Sequence, residues 1–468
     1  MSAPETPGVQ YAIGITALQA TVAGPVLLPG DASFAAEIAT YNLTVVHTPA
    51  VVVGATSVAD VQEAVRFAAV YNLPVAVLGA GHGSSVSSDG AVLITTRRLT
   101  GLSIDETAKT ARVEAGVRWG EFVEQASKLG LAGLNGSSPT VTVVGYTLGG
   151  GLGPFGRKYG YAADHVTALD VVTANGELRH VTADSDPDLF WALRGAKGNF
   201  GVVVAIEFTV FPLQAFYGGG IFFPGELAGD VLHLFREWTQ NVPEEMSASV
   251  GLLHLPAAPF VPEPLRDRVV VHLRIAYLGG PSDGALLVEP FRKLGTPIID
   301  AVGPMPYAAV ATIHNDPVDP LPVYEHAALL RELPAEAVDT LLRFAGPGSD
   351  SPLILAEVRH MGGALARTPE VPNAVGNRDQ TLYSVFLVAA GGPPDAEALH
   401  AYEQQVIDAL EPWSTGRRYL NFMFANDADP QTAALAYAPE AYERLTAIKR
   451  RFDPSNLFRI NHNIPPAS

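Results

Sequence analysis

Residues 74–85 read Pro74-Val75-Ala76-Val77-Leu78-Gly79-Ala80-Gly81-His82-Gly83-Ser84-Ser85, an apolar run that passes directly into glycine. Four apolar residues behind a proline, Val75 to Leu78, predict a buried strand. The glycines beyond it let backbone N–H groups approach a phosphate or a ring edge with no Cβ in the way. Gly79-x-Gly81 also suggests a dinucleotide-binding fingerprint. The third glycine is missing, however, and Ser85-Val86-Ser87-Ser88 does not open a helix, so that reading fails. His82 stands among glycines with no apolar periodic neighbours. It is either a turn histidine with one backbone hydrogen bond or an imidazole placed where a bound cofactor reaches it.

Upstream, Ala50 to Val53 predicts another buried strand, and Ser57-Val58-Ala59-Asp60 is a capping-box signature. Val61, Val65 and Ala68 recur at helical spacing as far as Asn72, and Pro74 ends that helix. Downstream, a helix is expected from Trp119 to Leu129, stopping at Gly130, and a third begins at Asp186-Pro187-Asp188. A second glycine-rich loop runs Gly145-Tyr146-Thr147-Leu148-Gly149-Gly150-Gly151-Leu152-Gly153. Residues Phe211 to Pro224 hold two prolines and Gly218-Gly219-Gly220, which reads as a boundary. Beyond it, strands are expected at Val269–Tyr277, Leu353–His360, Leu382–Ala389 and Tyr419–Phe424, and helices at Ala228–Trp238, Asp283–Leu294 and Ala396–Leu410. That pattern is one antiparallel sheet with helices on one side. A last helix, Pro439 to Arg451, runs into Phe452-Asp453-Pro454. The fold class is α+β.

Composition narrows the function. The 468 residues carry 30 Lys and Arg against 48 Asp and Glu, a formal net charge of −18, which does not suit nucleic-acid phosphates. No cysteine is present, so disulfides, thiolate metal sites and cysteine nucleophiles are excluded. No window approaches the ~18 uninterrupted apolar residues of a membrane span. Met1 to Pro7 shows no basic segment leading into an apolar one, so no secretory signal is expected and the cytoplasm is the default location.

Read together, five ordered stretches resemble the berberine bridge enzyme-like flavoproteins of the vanillyl-alcohol oxidase superfamily. They are Pro74 to His82, Gly145 to Gly153 with Arg157-Lys158-Tyr159-Gly160, Asp188 to Gly195, Gly198-Asn199-Phe200-Gly201-Val202-Val203, and Phe452 to Ile464. The resemblance implies bound FAD, with His82 joined to the flavin 8α carbon. It implies a pyrophosphate cradled by Gly79, Ala80, Gly81, Gly83, Ser84 and Ser85 and by the Val144–Gly149 loop, including Gly145, Gly149 and the neighbouring Gly150. Gly198, Gly201 and Val203 are expected against the adenosine or ribityl part, and Asn461 at a flavin-contacting position. Many members attach the flavin a second time through cysteine; here that place is Ser138, so His82 is the sole tether. Val141 matches a position where valine accompanies oxygen access in relatives, which points to an oxidase. Tyr146 stands where many relatives carry a histidine beside the flavin N1 and C2 carbonyl.

The substrate side departs from the family pattern. Where relatives present an acid, lysine or glutamine, the strand here offers Ser384 and Phe386, and Tyr419-Leu420-Asn421-Phe422 lacks the second tyrosine. Tyr419 is the remaining candidate base, with His360 a weaker one. The resemblance implies an FAD domain of residues 1–212 and 425–468 and a substrate domain of 213–424, with the active site between them. A small alcohol, amine or sugar donor and O2 as acceptor are expected, in a monomer or homodimer. A flavin dehydrogenase, a ring-closing tailoring enzyme and a non-catalytic flavin-binding module remain as alternatives.

Overall fold

Val75–Leu78 is a strand, and its parallel partner Val92–Thr95 pairs in turn with the parallel strand Val51–Gly54. The helix Val58–Tyr71 makes the crossover. Its Ser57 hydroxyl accepts from the Asp60 N–H at 3.3 Å, and Asn72 closes it in the left-handed region at φ 52°. The computed structural model describes residues 7–468 apart from 84 and 260. Ser84, an expected cofactor contact, therefore lies outside the described residues.

A second, antiparallel sheet of five strands follows in the order Leu102–Asp105, Thr110–Glu114, Val202–Thr209, Val166–Val172, Leu178–Val181. The helices Trp119–Lys128 and Pro187–Leu193 bury Phe122 and Leu189 in the same core as Val75. The tail returns to that core. Leu445 and Ile448 of the helix Pro439–Phe452 pack into it, and the Val75 N–H donates to the Leu457 carbonyl at 2.9 Å. Fully buried Lys449 anchors the return through the carbonyls of Asn199 (2.6 Å) and Phe458 (3.0 Å) and an ion pair with Asp453 (2.8 Å).

The largest sheet is antiparallel throughout, in the order Ile299–Asp300, Ala215–Pro224, Arg268–Tyr277, Met246–Leu255, Leu353–His360, Tyr383–Ala390, Val323–Leu330. One face buries Val250, Leu273, Val358 and Val385 against the helices Ala228–Trp238, Ala335–Ala345 and Ala396–Ala409. Side chains alternate along a strand, so Ser249, Arg274, Glu357, Arg359 and Ser384 point from the other face.

Three expectations are corrected. Within Phe211–Pro224 the glycine run is strand and not turn: Ala215–Pro224 is continuous and paired with Arg268–Tyr277, and residues 213–214 separate it from the short strand Phe211–Pro212. Its glycines admit neighbours: a Cβ on Gly220 would sit 2.2 Å from His272 Nε2, and one on Gly219 2.2 Å from the Ala301 carbonyl. Tyr419–Phe424 is not a strand. Leu420–Phe422 forms a 3₁₀ turn in which Asn421 Nδ2 donates to the Tyr146 carbonyl at 2.8 Å, a side-chain bond in place of a ladder. The second glycine segment is a loop only from Gly149 onward, since Val143–Leu148 is a short helix.

Beneath the edge of this sheet, Glu403 is fully buried beside His400 Nδ1 at 3.4 Å, with neither carboxyl oxygen hydrogen-bonded. Burial pushes it up to about 8; burial and the nearby Glu403 also push Glu325 up to about 8. The folded state therefore holds a proton that the unfolded chain has released above about 4.5. Relative to Glu403→Gln, the wild-type urea midpoint should fall as pH rises from 5 to 8, by on the order of a few kcal/mol in stability. Parallel curves for the two proteins would refute the assignment.

Candidate active site

The Gly79–Ser85 loop turns at Gly81, whose φ of 77° and closeness to Thr40 leave no place for a side chain. Beside Gly83 there is open space. Ala80 is half-buried, and Gly79 lies against Thr142. Ser85 Oγ donates to the Met423 carbonyl at 3.3 Å. His82 is held on two sides: its ring stacks on Tyr41 at 3.8 Å, and its Nε2 lies 2.7 Å from Thr140 Oγ1. Thr140 Oγ1 is also 3.0 Å from Ser138 Oγ, so one hydroxyl links His82 to the place where many relatives carry the second, cysteine attachment. Burial drives the His82 imidazole down to about 4, with Asp316 opposing and Arg118 reinforcing the shift. At neutral pH it is an uncharged ring with a free lone pair.

The glycines at 149–153 let two tyrosines reach this wall. A Cβ on Gly149 would lie 1.9 Å from Asn421 Oδ1, and one on Gly150 3.0 Å from Tyr419 Oη. Tyr146 meets Trp119 edge-on at 5.6 Å, and its buried Oη has no partner. Tyr419 packs on Tyr161 at 5.5 Å, its hydroxyl against Gly150 without a well-formed hydrogen bond. Burial raises both phenols well above their usual range, so each stands protonated at neutral pH.

The other expected contacts divide. Gly198 faces open space, whereas Gly201 is packed against Val171 and Val172. Val203 is buried, its side chain part of the first core. Val141 is half-buried, its carbonyl accepting from the Trp119 N–H, and Gly145 is exposed at the helix surface. Asn461 Oδ1 is buried with no partner. The adjacent His462 Nε2 reaches the Phe424 carbonyl at 3.3 Å, one residue from the Met423 carbonyl that takes Ser85. Tail and first glycine loop thus converge.

Facing this wall, the polar side of the large sheet carries a buried cluster. Glu357 accepts from Ser249 Oγ (2.6 Å), Arg274 Nη1 (2.6 Å) and Arg359 Nε (2.8 Å), with His314 Nε2 at 3.7 Å. Burial works against the carboxylate, but Arg359, Arg274 and His314 outweigh it and hold Glu357 far below the usual range. His314 falls to about 4 through burial and Arg274, and its buried Nδ1 has no partner. A cavity of about 490 Å³, counting its open mouth, lies between Ser137, Gly153 and Arg157 on one side and Ser249, Arg274, His314 and Arg359 on the other. Ser384 Oγ is buried and unpartnered opposite Arg359, and Phe386 packs on Phe422 at 5.2 Å. His360 lines the same cavity, tied to Arg157 Nη1 at 3.0 Å and stacked on Tyr383, with its Nδ1 buried and unpartnered.

Arg274, Glu357, Arg359 and His314 carry no expectation from sequence, although a signal for the first three exists. Val-His272-Leu-Arg274-Ile and Ala-Glu357-Val-Arg359 set polar residues at alternate positions of otherwise apolar strands, which marks a polar face under cover.

Unpartnered Tyr146 Oη, Tyr419 Oη and Asn461 Oδ1, with open backbone at Gly83 and Gly198, fit a large polar cofactor laid along the glycine-rich wall. Comparison with known proteins agrees. Residues 49–182 match the FAD binding domain, and residues 418–465 the family described as berberine and berberine like. The (R)-6-hydroxynicotine oxidase of Paenarthrobacter nicotinovorans is 28% identical, over 95% of this chain and 97% of its own. A chitooligosaccharide oxidase of Gibberella zeae is 25% identical, over 93% and 91%. The crystal structure of 6-hydroxy-D-nicotine oxidase from Arthrobacter nicotinovorans superposes with a TM-score of 0.79 at 26% identity, over 95% of this chain and 98% of that one. No helix among the described residues is long and apolar enough to cross a membrane.

Proposed function

Because the chain carries the FAD binding domain and C-terminal segment of the berberine bridge enzyme-like FAD-linked oxidoreductases, we propose that it is an oxidase holding FAD through His82 alone. In this reading it oxidises a small alcohol, amine or sugar-type donor and passes the electrons to O2, giving H2O2. The observation that carries it is the neutral His82 ring, fixed by Tyr41 and Thr140 at the edge of a wall of unpartnered polar groups. Residues 1–212 with 425–468 serve as the FAD domain and 213–424 as the substrate domain. One core drawn mainly from 1–212 and 425–468 and a second drawn from 213–424 support that division, with Phe216, Ala276, Tyr307 and Leu420 crossing into the first, and the cavity between Gly153 and Arg359 supports an active site between them.

FAD, when bound, supplies a hydride acceptor for a C–H bond beside oxygen or nitrogen. In the tautomer that donates Nε2–H to Thr140 Oγ1, His82 keeps its lone pair on Nδ1, the nitrogen that would join the flavin 8α carbon. Tyr146 and Tyr419 stay protonated and donate hydrogen bonds towards the cofactor. His314, uncharged at neutral pH, offers its unpartnered Nδ1 as a hydrogen-bond acceptor that orients a donor hydroxyl in the cavity. Val141 keeps the approach to the flavin narrow-walled but open to oxygen.

Purified protein should be yellow and release peroxide with at least one member of a panel of alcohols, amines and sugars. Val141→Leu should slow reoxidation of the reduced protein by air about tenfold in stopped flow, some 1.4 kcal/mol of barrier. A colourless protein that FAD cannot reconstitute defeats the reading; a yellow one whose reduced form survives in air defeats the oxidase part.

A further inference from the structure

Three guanidiniums, Arg157, Arg274 and Arg359, line the cavity between the two walls. Arg157 spends its hydrogen bonds on the Met246 and Met361 carbonyls and on His360, none of them charged partners. Arg274 and Arg359 share one carboxylate, Glu357, whose oxygens are already occupied by these two and by Ser249. Of the other carboxylates whose field reaches these groups, Glu244 is committed to Arg367, and Asp316 lies on the loop beyond His314. Positive charge is therefore in excess at the cavity wall.

Arg359 is also shaped for a ligand. Its Nε is fixed on Glu357, and its plane is packed by the rings of Phe422 (5.1 Å) and Phe386 (5.9 Å). Neither Nη1 nor Nη2 of Arg359, nor Nη2 of Arg274, makes a hydrogen bond among the described residues. A guanidinium held at Nε and on its faces presents its remaining edge as a rigid fork, the complement of a two-oxygen anion.

We infer that the donor this cavity takes carries a carboxylate, gripped by the free edge of Arg359 with Arg274 beside it. The inference rests on the flavin reading above and narrows it. The grip places the donor carbon relative to His314, and the same wall repels a protonated amine. It thus separates this chain from a relative named for hydroxynicotine.

The test uses protein with its FAD bound, titrated with benzoate, its neutral counterpart benzamide, and benzylamine, and read by flavin difference absorbance. Benzoate should bind at least tenfold more tightly than benzamide, and benzylamine most weakly. Arg359→Gln and Arg274→Gln should each weaken benzoate at least tenfold and leave benzamide within threefold, with flavin content unchanged. Benzoate binding no tighter than benzamide overturns the inference, and the wild-type comparison decides this even if a variant fails to fold. So does Arg359→Gln that shifts the flavin spectrum while benzoate affinity stays, which would assign the guanidinium to the cofactor. Protein lacking flavin altogether fails the earlier reading instead.

Discussion

His82→Ala is expected to shed its FAD when precipitated with acid, while the wild-type precipitate stays fluorescent. The imidazole is the neutral nitrogen nucleophile beside the first glycine loop: the chain has no cysteine, and the Ser138 hydroxyl is too weak an acid to attack carbon at neutral pH. Burial keeps His82 uncharged, so its lone pair is available across the neutral range. A histidyl bond draws electron density from the ring and makes the flavin a stronger hydride acceptor. Turnover in the variant should therefore fall at least tenfold even with FAD in excess, a rise of about 1.4 kcal/mol or more in barrier. Removing His82 also leaves Tyr41 without its stacked partner and Thr140 with one bond fewer, a modest structural cost. FAD released from the wild type by acid would show that the tether is wrong, although non-covalent binding would survive.

The second large effect is expected at Glu357. Among the described residues, its carboxylate is the sole counter-ion that Arg274 and Arg359 touch, and both are largely buried. Deleting one partner of a buried ion cluster strands the others in a medium of low polarity, a cost of about 3–5 kcal/mol. Glu357→Gln keeps the shape and can still accept from Ser249, yet it should lower stability by about that amount in urea denaturation. Removing all three charges together, as Glu357→Gln with Arg274→Met and Arg359→Met, should recover much of the loss, because the desolvation penalty disappears with the pair. A Glu357→Gln protein as stable as wild type would mean that water or another group already solvates the arginines.

Much of the cofactor wall was legible because its chemistry is written locally. Val75–Leu78 into Gly79–Ser85 is strand, turn and histidine in eleven residues, and Ser57 and Asn72 mark both ends of the preceding helix. The helix Ala228–Trp238 and the strand Leu353–His360 also lie where periodicity places them. The substrate wall was far less legible, for two physical reasons. Strands such as Met246–Leu255 and Val323–Leu330 mix polar and apolar residues because one face lies under a core and the other under a cavity. The Gly218–Gly220 run, read as a break, is instead the space that His272 and Ala301 occupy. Facing is set by register between distant strands, so Ser249, Arg274, Glu357 and Arg359 converge only once Met246–Leu255 is paired on both sides. The Tyr419 stretch misled for the same reason: its partner is the Tyr146 carbonyl, not a strand.

Diffraction from crystals of the yellow, FAD-loaded protein tests the central claim most directly. The account predicts the flavin ring between Tyr146 and the Glu357–Arg359 face, with density continuous from the 8α carbon to a ring nitrogen of His82 and none to Ser138. A flavin bound elsewhere, or one whose dimethylbenzene edge points away from His82, would contradict it.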